Sequence, residues 1–263
     1  MANFKSLLTY SEFQNSVKRE ARYIFSPSIK KFLKSLKDTR DDVLRGEKIL
    51  KGATYWRAQK GFDEERNLSY SAKRMKPKPD GPEGRVNPKG LPCLYLATDY
   101  KTAMAEVRPW IGSYLSVWQF KTLRDLNLID LTKRHATVRL GDLNASGREH
   151  EAWAAINQAF SEPVTNETCA DYAPTQILSE LFHDCGYDGV EYMSSLGEGH
   201  NVALFSLDMA DPIKGFLYKV EPGEISFNFS DCGRSIERQN VKLWLVTGVA
   251  ASIATYGIIR KMR

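Results

Sequence analysis

Apolar positions recur at helical spacing through the first fifty residues and in short clustered runs after that. In Tyr10–Tyr23 and Pro27–Leu44 the apolar residues (Ile29, Phe32, Leu33 and Leu36 in the second) fall three or four apart, with charge on the remaining positions. That spacing predicts two helices, the second opened by an N-cap Ser26 and by Pro27 at its first position. From Ala53 the pattern changes to short β-rich runs: 53–58, 94–97, 114–120, 126–131, 189–193, 202–207, 217–221 and 225–229. Helical patterns interrupt them at 99–108, 148–160 and 174–185, the last with Pro174 in its first turn. An irregular order of strands and helices predicts an α+β fold, not a doubly wound sheet. Between Gly61 and Gly90 lies a polar stretch rich in Pro, Gly and Lys, whose length suits a binding lid better than a passive connection. The chain so divides into a helical N-terminal arm (1–52), a central domain (53–230) and a hydrophobic C-terminal helix (240–263).

Charge sharpens this division. Residues 1–90 carry 21 Lys/Arg against 11 Asp/Glu, whereas residues 91–263 carry 16 against 21, so the positive field belongs to the N-terminal third. Such a field suits an anionic ligand, an acidic partner, a membrane surface or plain solvation. Aromatic residues do not interleave with the basic segment, so no nucleic-acid platform is expected. The four cysteines (Cys93, Cys169, Cys185, Cys232) show no paired spacing, which suits a reducing, cytoplasmic setting and offers neither a zinc site nor a disulfide framework.

Leu243 to Ile259 is uncharged, with Lys242 before it and Arg260, Lys261 and Arg263 after it. As a helix these residues would span roughly 26 Å, slightly short of a ~30 Å hydrocarbon core. Flanking cations can rescue a short span, and Gly248, Ser252 and Tyr256 would share one face suited to close packing. A tail anchor attaching a cytoplasmic body to a membrane is the expectation; a buried or homo-oligomer-forming helix needs the same residues. Three cations beyond the span run against the positive-inside tendency.

Familiar catalytic motifs are missing. The residue four after His150 is Ala154, so no HExxH motif forms. Gly81, Gly84 and Gly90 match neither GxGxxG nor a P-loop, and Met193 leaves no GxSxG elbow. No metal is expected. What remains is Arg57 after Tyr55-Trp56, Arg85 in Gly84-Arg-Val-Asn-Pro88, Glu106 on a helix face with Thr102, and Ser194 and Asn201 at the ends of neighbouring strands. Two arginines could clamp a diphosphate. Each residue alone also has a bland reading: a structural ion pair, an exposed loop, a solvated surface charge.

In order along the chain, Tyr-Trp-Arg-Ala, Gly-Arg-Val-Asn-Pro, Leu-Tyr-Leu-Ala, Thr-Ala-Met-Ala-Glu, Pro-Thr-Gln and Tyr-Met-Ser-Ser…His-Asn-Val-Ala-Leu-Phe resemble the RES domain family over roughly residues 50–210. That family includes the toxins of Xre–RES toxin–antitoxin pairs. The resemblance implies a fold similar to ADP-ribosyltransferase toxins and consumption of NAD. Some members are NAD phosphorylases that release nicotinamide and form ADP-ribose-1″-phosphate; others are described as ADP-ribosyltransferases. Carried over by motif, Glu106 is the essential acid, with Arg57 and Ser194 as its catalytic companions. Arg85, Tyr95, Asn87 and Asn201 then bind substrate. A proline commonly precedes the family's serine, where this chain has Met193, which leaves Ser195 as the alternative hydroxyl. The long basic loop 61–84 also departs from compact toxins. NAD and inorganic phosphate are the expected substrates, with no bound cofactor, and a cognate antitoxin is the expected partner. The alternatives are a protein ADP-ribosyltransferase and a membrane-tethered binding module without activity.

Overall fold

Thr9 opens the first helix with a reciprocal cap: its Oγ accepts from the Glu12 amide at 3.2 Å while the Glu12 carboxylate accepts from the Thr9 amide at 2.8 Å. The computed structural model that begins with this helix describes residues 4–43, 47–132, 145–163 and 169–222. Its elements run α1 (Tyr10–Arg19), α2 (Pro27–Val43), β1 (Glu47–Ile49), β2 (Thr54–Lys60), α3 (Ala72–Met75), β3 (Leu94–Ala97), α4 (Tyr100–Glu106), β4 (Tyr114–Thr122), β5 (Leu126–Leu131), α5 (Ala145–Ser161), α6 (Cys169–Asp184), β6 (Gly189–Met193), β7 (His200–Leu204) and β8 (Ala210–Lys219). The fold is α+β, as the irregular alternation predicts.

One eight-stranded sheet carries the structure, in the order β1-β5-β6-β7-β3-β2-β4-β8. All neighbours are antiparallel except β5 and β6, and α5 and α6 lie in the crossover between that parallel pair. Side chains divide by strand parity. Leu94, Leu96, Leu126, Leu128, Val202 and Leu204 bury one face, with Tyr55, Phe120 and Met209. Ile129, Leu131, Val190, Tyr192 and Ala203 bury the other against Trp153, Ile156, Phe160, Leu178 and Phe182 of α5 and α6. Phe13, Val17, Phe32 and Leu36 of α1 and α2 belong to this second cluster, so the basic helices rest their apolar stripes on the same core.

Several boundaries differ from the sequence reading. Helix α6 begins at Cys169, which leaves Pro174 inside the helix instead of in its first turn. The earlier turn is held by tertiary contact: Asp171 pairs with Lys18 of α1 at 3.0 Å, and Ala173 is buried. Strand β8 starts at Ala210, well before the predicted 217, because its whole length pairs with β4. The stretch after Gly61 is not a free lid over its first half. Its Tyr70 amide donates to Ser116 Oγ at 2.8 Å, its Tyr70 carbonyl accepts from the Trp118 indole at 2.8 Å, and Met75 is fully buried.

The described residues all belong to one compact unit, which ends at Pro222. The strand expected at 225–229 and the helix expected at 240–263 lie outside the described residues. Among the described residues no helix is long and apolar enough to cross a membrane.

Candidate active site

Glu106 is the last residue of α4, and its position follows from how that short helix starts. Asp99 caps the helix by accepting the Thr102 amide at 2.8 Å, which sets the turn two residues after β3 ends. Two turns later Glu106 meets the ends of β6 and β7. Ser194 Oγ donates to Glu106 Oε1 at 2.6 Å and Asn201 Nδ2 donates to the same oxygen at 2.7 Å. Among the described residues the other carboxylate oxygen, Oε2, carries no hydrogen bond. One oxygen is therefore fixed by two donors, and its twin has none among the described residues.

Register explains the convergence. Tyr192 on β6, Asn201 on β7 and Ala97 on β3 are directly paired, so they share one face of the sheet. Ser194 follows one residue beyond β6, and its oxygen also accepts from the Leu196 and Gly197 amides at 3.1 and 3.0 Å. A serine whose proton goes to a carboxylate and whose lone pairs take two amides is arranged to orient that carboxylate. Ser195, the alternative hydroxyl, is exposed and does not reach Glu106.

Arg57 occupies the place where β2 and β3 part. Their pairing is confined to Trp56 and Ala97, and Arg57 Nη1 donates to the Tyr95 carbonyl at 2.7 Å. The residue is half-buried, yet its Nε is sealed from solvent without a hydrogen-bond partner, and among the described residues no carboxylate pairs with it. Burial pushes the guanidinium down to about 10, against a small upward pull from the Tyr95 phenol. It stays cationic at neutral pH. A buried cation with one neutral partner is a costly arrangement unless an anion completes it.

Tyr95 joins this arginine to the basic turn. Its carbonyl holds Arg57, while its hydroxyl donates to Asn87 Oδ1 at 2.7 Å and accepts from the Val86 amide at 2.9 Å. Burial raises the Tyr95 phenol well above its ordinary range, and burial likewise pushes the Cys93 thiol up to about 12. Neither ionises near neutrality, so neither is a nucleophile there.

Arg85 holds different partners from Arg57. Its guanidinium donates to the carbonyls of Ala159 and Glu162, capping the end of α5. On that side opens a cavity of about 470 Å³ lined in part by Tyr10, Gln14, Lys18 and Tyr172. Asn87 is buried, with its amide nitrogen donating to the Pro88 carbonyl at 3.2 Å. Of the eight residues singled out from sequence, the structure gathers Glu106, Ser194 and Asn201 into direct contact. Arg57, Tyr95 and Asn87 form a second chain of contacts, Arg85 is tied to α5, and Ser195 stands apart.

Sequence reasoning missed the work of Pro174-Thr-Gln176. Thr175 Oγ donates to the Arg85 carbonyl at 2.7 Å, and Gln176 Nε2 donates to the carbonyls of Gly84 and Asn87 at 2.9 and 3.0 Å. These two buried side chains hold the basic turn in place. Adjacent polar residues at Thr175 and Gln176, just ahead of the apolar pair Ile177-Leu178, were the available signal.

No curated protein matches the sequence. Among solved structures, a chain of the M. tuberculosis MbcT–MbcA toxin–antitoxin complex is 17% identical, with a TM-score of 0.42 over 70% of this chain and 92% of that one. The RES domain family model matches residues 54–220, a span that opens at β2 just before Arg57, closes just past β8, and contains the Glu106, Ser194 and Asn201 cluster. That match runs through most of the chain and every strand of the sheet except β1, and it places the chain in the RES domain family.

Proposed function

We propose that this chain cleaves the nicotinamide–ribose bond of NAD, with inorganic phosphate as acceptor, and that this activity makes it a growth-inhibiting toxin. The observation that carries the reading is the Glu106 carboxylate, gripped at Oε1 by Ser194 and Asn201 while Oε2 has no donor among the described residues. As the bond from ribose C1″ to nicotinamide lengthens, positive charge develops on the ribose. A fixed carboxylate oxygen beside it stabilises that charge without reorganising at the moment of reaction. The bonding pair leaves with the nicotinamide nitrogen, so nicotinamide departs neutral. A phosphate oxygen then forms the new bond at C1″, giving ADP-ribose-1″-phosphate with no redox change.

Arg57 supplies the cation this ligand asks for, since its buried guanidinium has no carboxylate partner among the described residues. Either the diphosphate of NAD or the attacking phosphate would complete it. Ser194 acts on Glu106 and not on the substrate carbon. A protein antitoxin that covers this carboxylate is the partner that fits such a toxin.

Incubating the purified chain with NAD, with and without phosphate, and identifying products by ¹H and ³¹P NMR tests the reading. Free nicotinamide together with a new phosphate ester, formed only with phosphate, is the expected result. Free ADP-ribose at the same rate without phosphate would replace phosphorolysis by hydrolysis, and adenine label on protein would replace it by protein ADP-ribosylation.

A further inference from the structure

Helix α4 touches the 194–199 loop at two points four residues apart. At its end Glu106 accepts from Ser194; on its first turn Thr102 Oγ accepts from the Gly199 amide at 3.0 Å. Residues at that spacing lie on one helix face, so a single rigid element grips the loop at both ends. We infer that Thr102 is a positioning residue, which holds the loop so that Ser194 reaches Glu106. The inference rests on the reading of Glu106 as the acid at the reacting ribose.

The hydroxyl of Thr102 has one available direction. Its proton goes to Asp99 Oδ2 at 2.7 Å while its own amide goes to Asp99 Oδ1 at 2.8 Å, which leaves the lone pairs for Gly199. Thr102 is buried and the contact is partly buried, which limits competition from water for that amide. Gly199 passes the constraint on through its carbonyl, which accepts from the Ser194 amide at 3.3 Å. Thr98 Oγ accepts from the His200 amide at 2.9 Å, which fixes the next residue and hence the start of the strand that carries Asn201. The approach is too close for a side chain on the loop: a Cβ at Gly199 would stand 2.0 Å from Asp99 Oδ2 and 2.7 Å from Thr102 Oγ. Both donors to Glu106 Oε1 are therefore aimed from the α4 cap, by residues that never touch it.

The test compares Thr102→Val, which keeps the shape and removes the acceptor, with Thr102→Ser, which keeps both hydroxyl roles. Nicotinamide release gives kcat and KM, and amide hydrogen exchange by NMR on the full chain reads the Gly199 contact without turnover. Thr102→Val is expected to lower kcat about tenfold with KM for NAD within about twofold, the signature of a misaligned reacting group. Thr102→Ser should recover most of that loss. Exchange at Gly199 should quicken in the valine variant alone. A valine variant with the wild-type kcat, or equal losses in valine and serine variants, would overturn the inference. If the wild-type chain fails to release nicotinamide, the functional reading falls by itself; unchanged Gly199 exchange in the valine variant would then still refute the positioning role.

Discussion

Replacing Ser194 by alanine separates an orienting hydroxyl from a nucleophilic one. The change removes one of two hydrogen bonds to Glu106 Oε1, a contact of 2.6 Å, and leaves the Asn201 contact of 2.7 Å in place. A hydrogen bond to a charged group is worth about 1.5–3 kcal/mol. If it is fully expressed at the transition state, that corresponds to roughly 10–150-fold in rate. The Leu196 and Gly197 amides also lose their acceptor; the first contact is exposed, where water replaces it, and the second is partly buried. The expected outcome for Ser194→Ala is therefore a drop in kcat of about 10–100-fold, measured as nicotinamide release in phosphate buffer, with unchanged thermal unfolding. Ser194→Ala/Asn201→Ala should lose more than either single variant but not by simple multiplication, because both donors serve one oxygen. A rate within twofold of wild type would refute the orienting role. Loss to background, equal to removal of Glu106 itself, would make Ser194 a group that reacts.

Glu106→Gln should abolish nicotinamide release while leaving the far-ultraviolet circular dichroism spectrum and melting temperature unchanged; retained turnover would dismiss it as the acid. Tyr95→Phe strips the Val86 amide and Asn87 of their partner, so unfolding by urea should show a loss of about 1–3 kcal/mol together with weaker NAD binding. Arg57 carries a pH dependence with a definite sign. Its folded value of about 10 lies below that of a free guanidinium, so above about 10 the unfolded chain binds more protons and stability attributable to Arg57 rises with pH. Activity should run the opposite way, falling as pH passes about 10; Arg57→Gln should lose both trends, seen in pH profiles of unfolding and turnover. Fractionation tests the tail anchor expected from sequence: an anchor requires the intact chain in the membrane fraction and a chain lacking residues 240–263 in the soluble one, and the same soluble partitioning for both would refute it.

The sequence made legible what depends on local pattern. Clustered apolar runs located β3, β5 and β6, and the stripe from Ile29 to Leu36 located α2, because period and burial agree in those segments. Boundaries went astray where a long-range partner overrode local preference: β8 is lengthened by pairing with β4, and α6 is extended ahead of Pro174 by the Lys18 contact. At the site, the order of motifs singled out Glu106, Ser194 and Asn201, but not that two of them share one oxygen of the third. That fact comes from the β6–β7 register and from the phase of a seven-residue helix. Arg85 has a partner that no local pattern announces: its guanidinium, expected at a phosphate, holds the end of α5, 74 residues away, and lines the cavity there.

The two arginines are a contrast in how a fold spends a cation. Arg85 sits on the carbonyls that end a helix, where the backbone dipole favours positive charge, and it is stabilising without any ligand. Arg57 has a single carbonyl exposed by the parting of two strands, and its Nε has no hydrogen-bond partner among the described residues. A neutral side chain of similar shape would avoid that cost, so stability alone does not explain an arginine at this position. The deficit is what a binding site needs: a cation held rigid by β2, short of partners, and joined through the Tyr95 strand to the sheet that carries Asn201. Filling it should raise the melting temperature of the wild-type chain in the presence of a diphosphate ligand. The same ligand should leave Arg57→Gln unmoved, whereas Arg85→Gln should melt earlier on its own and still respond.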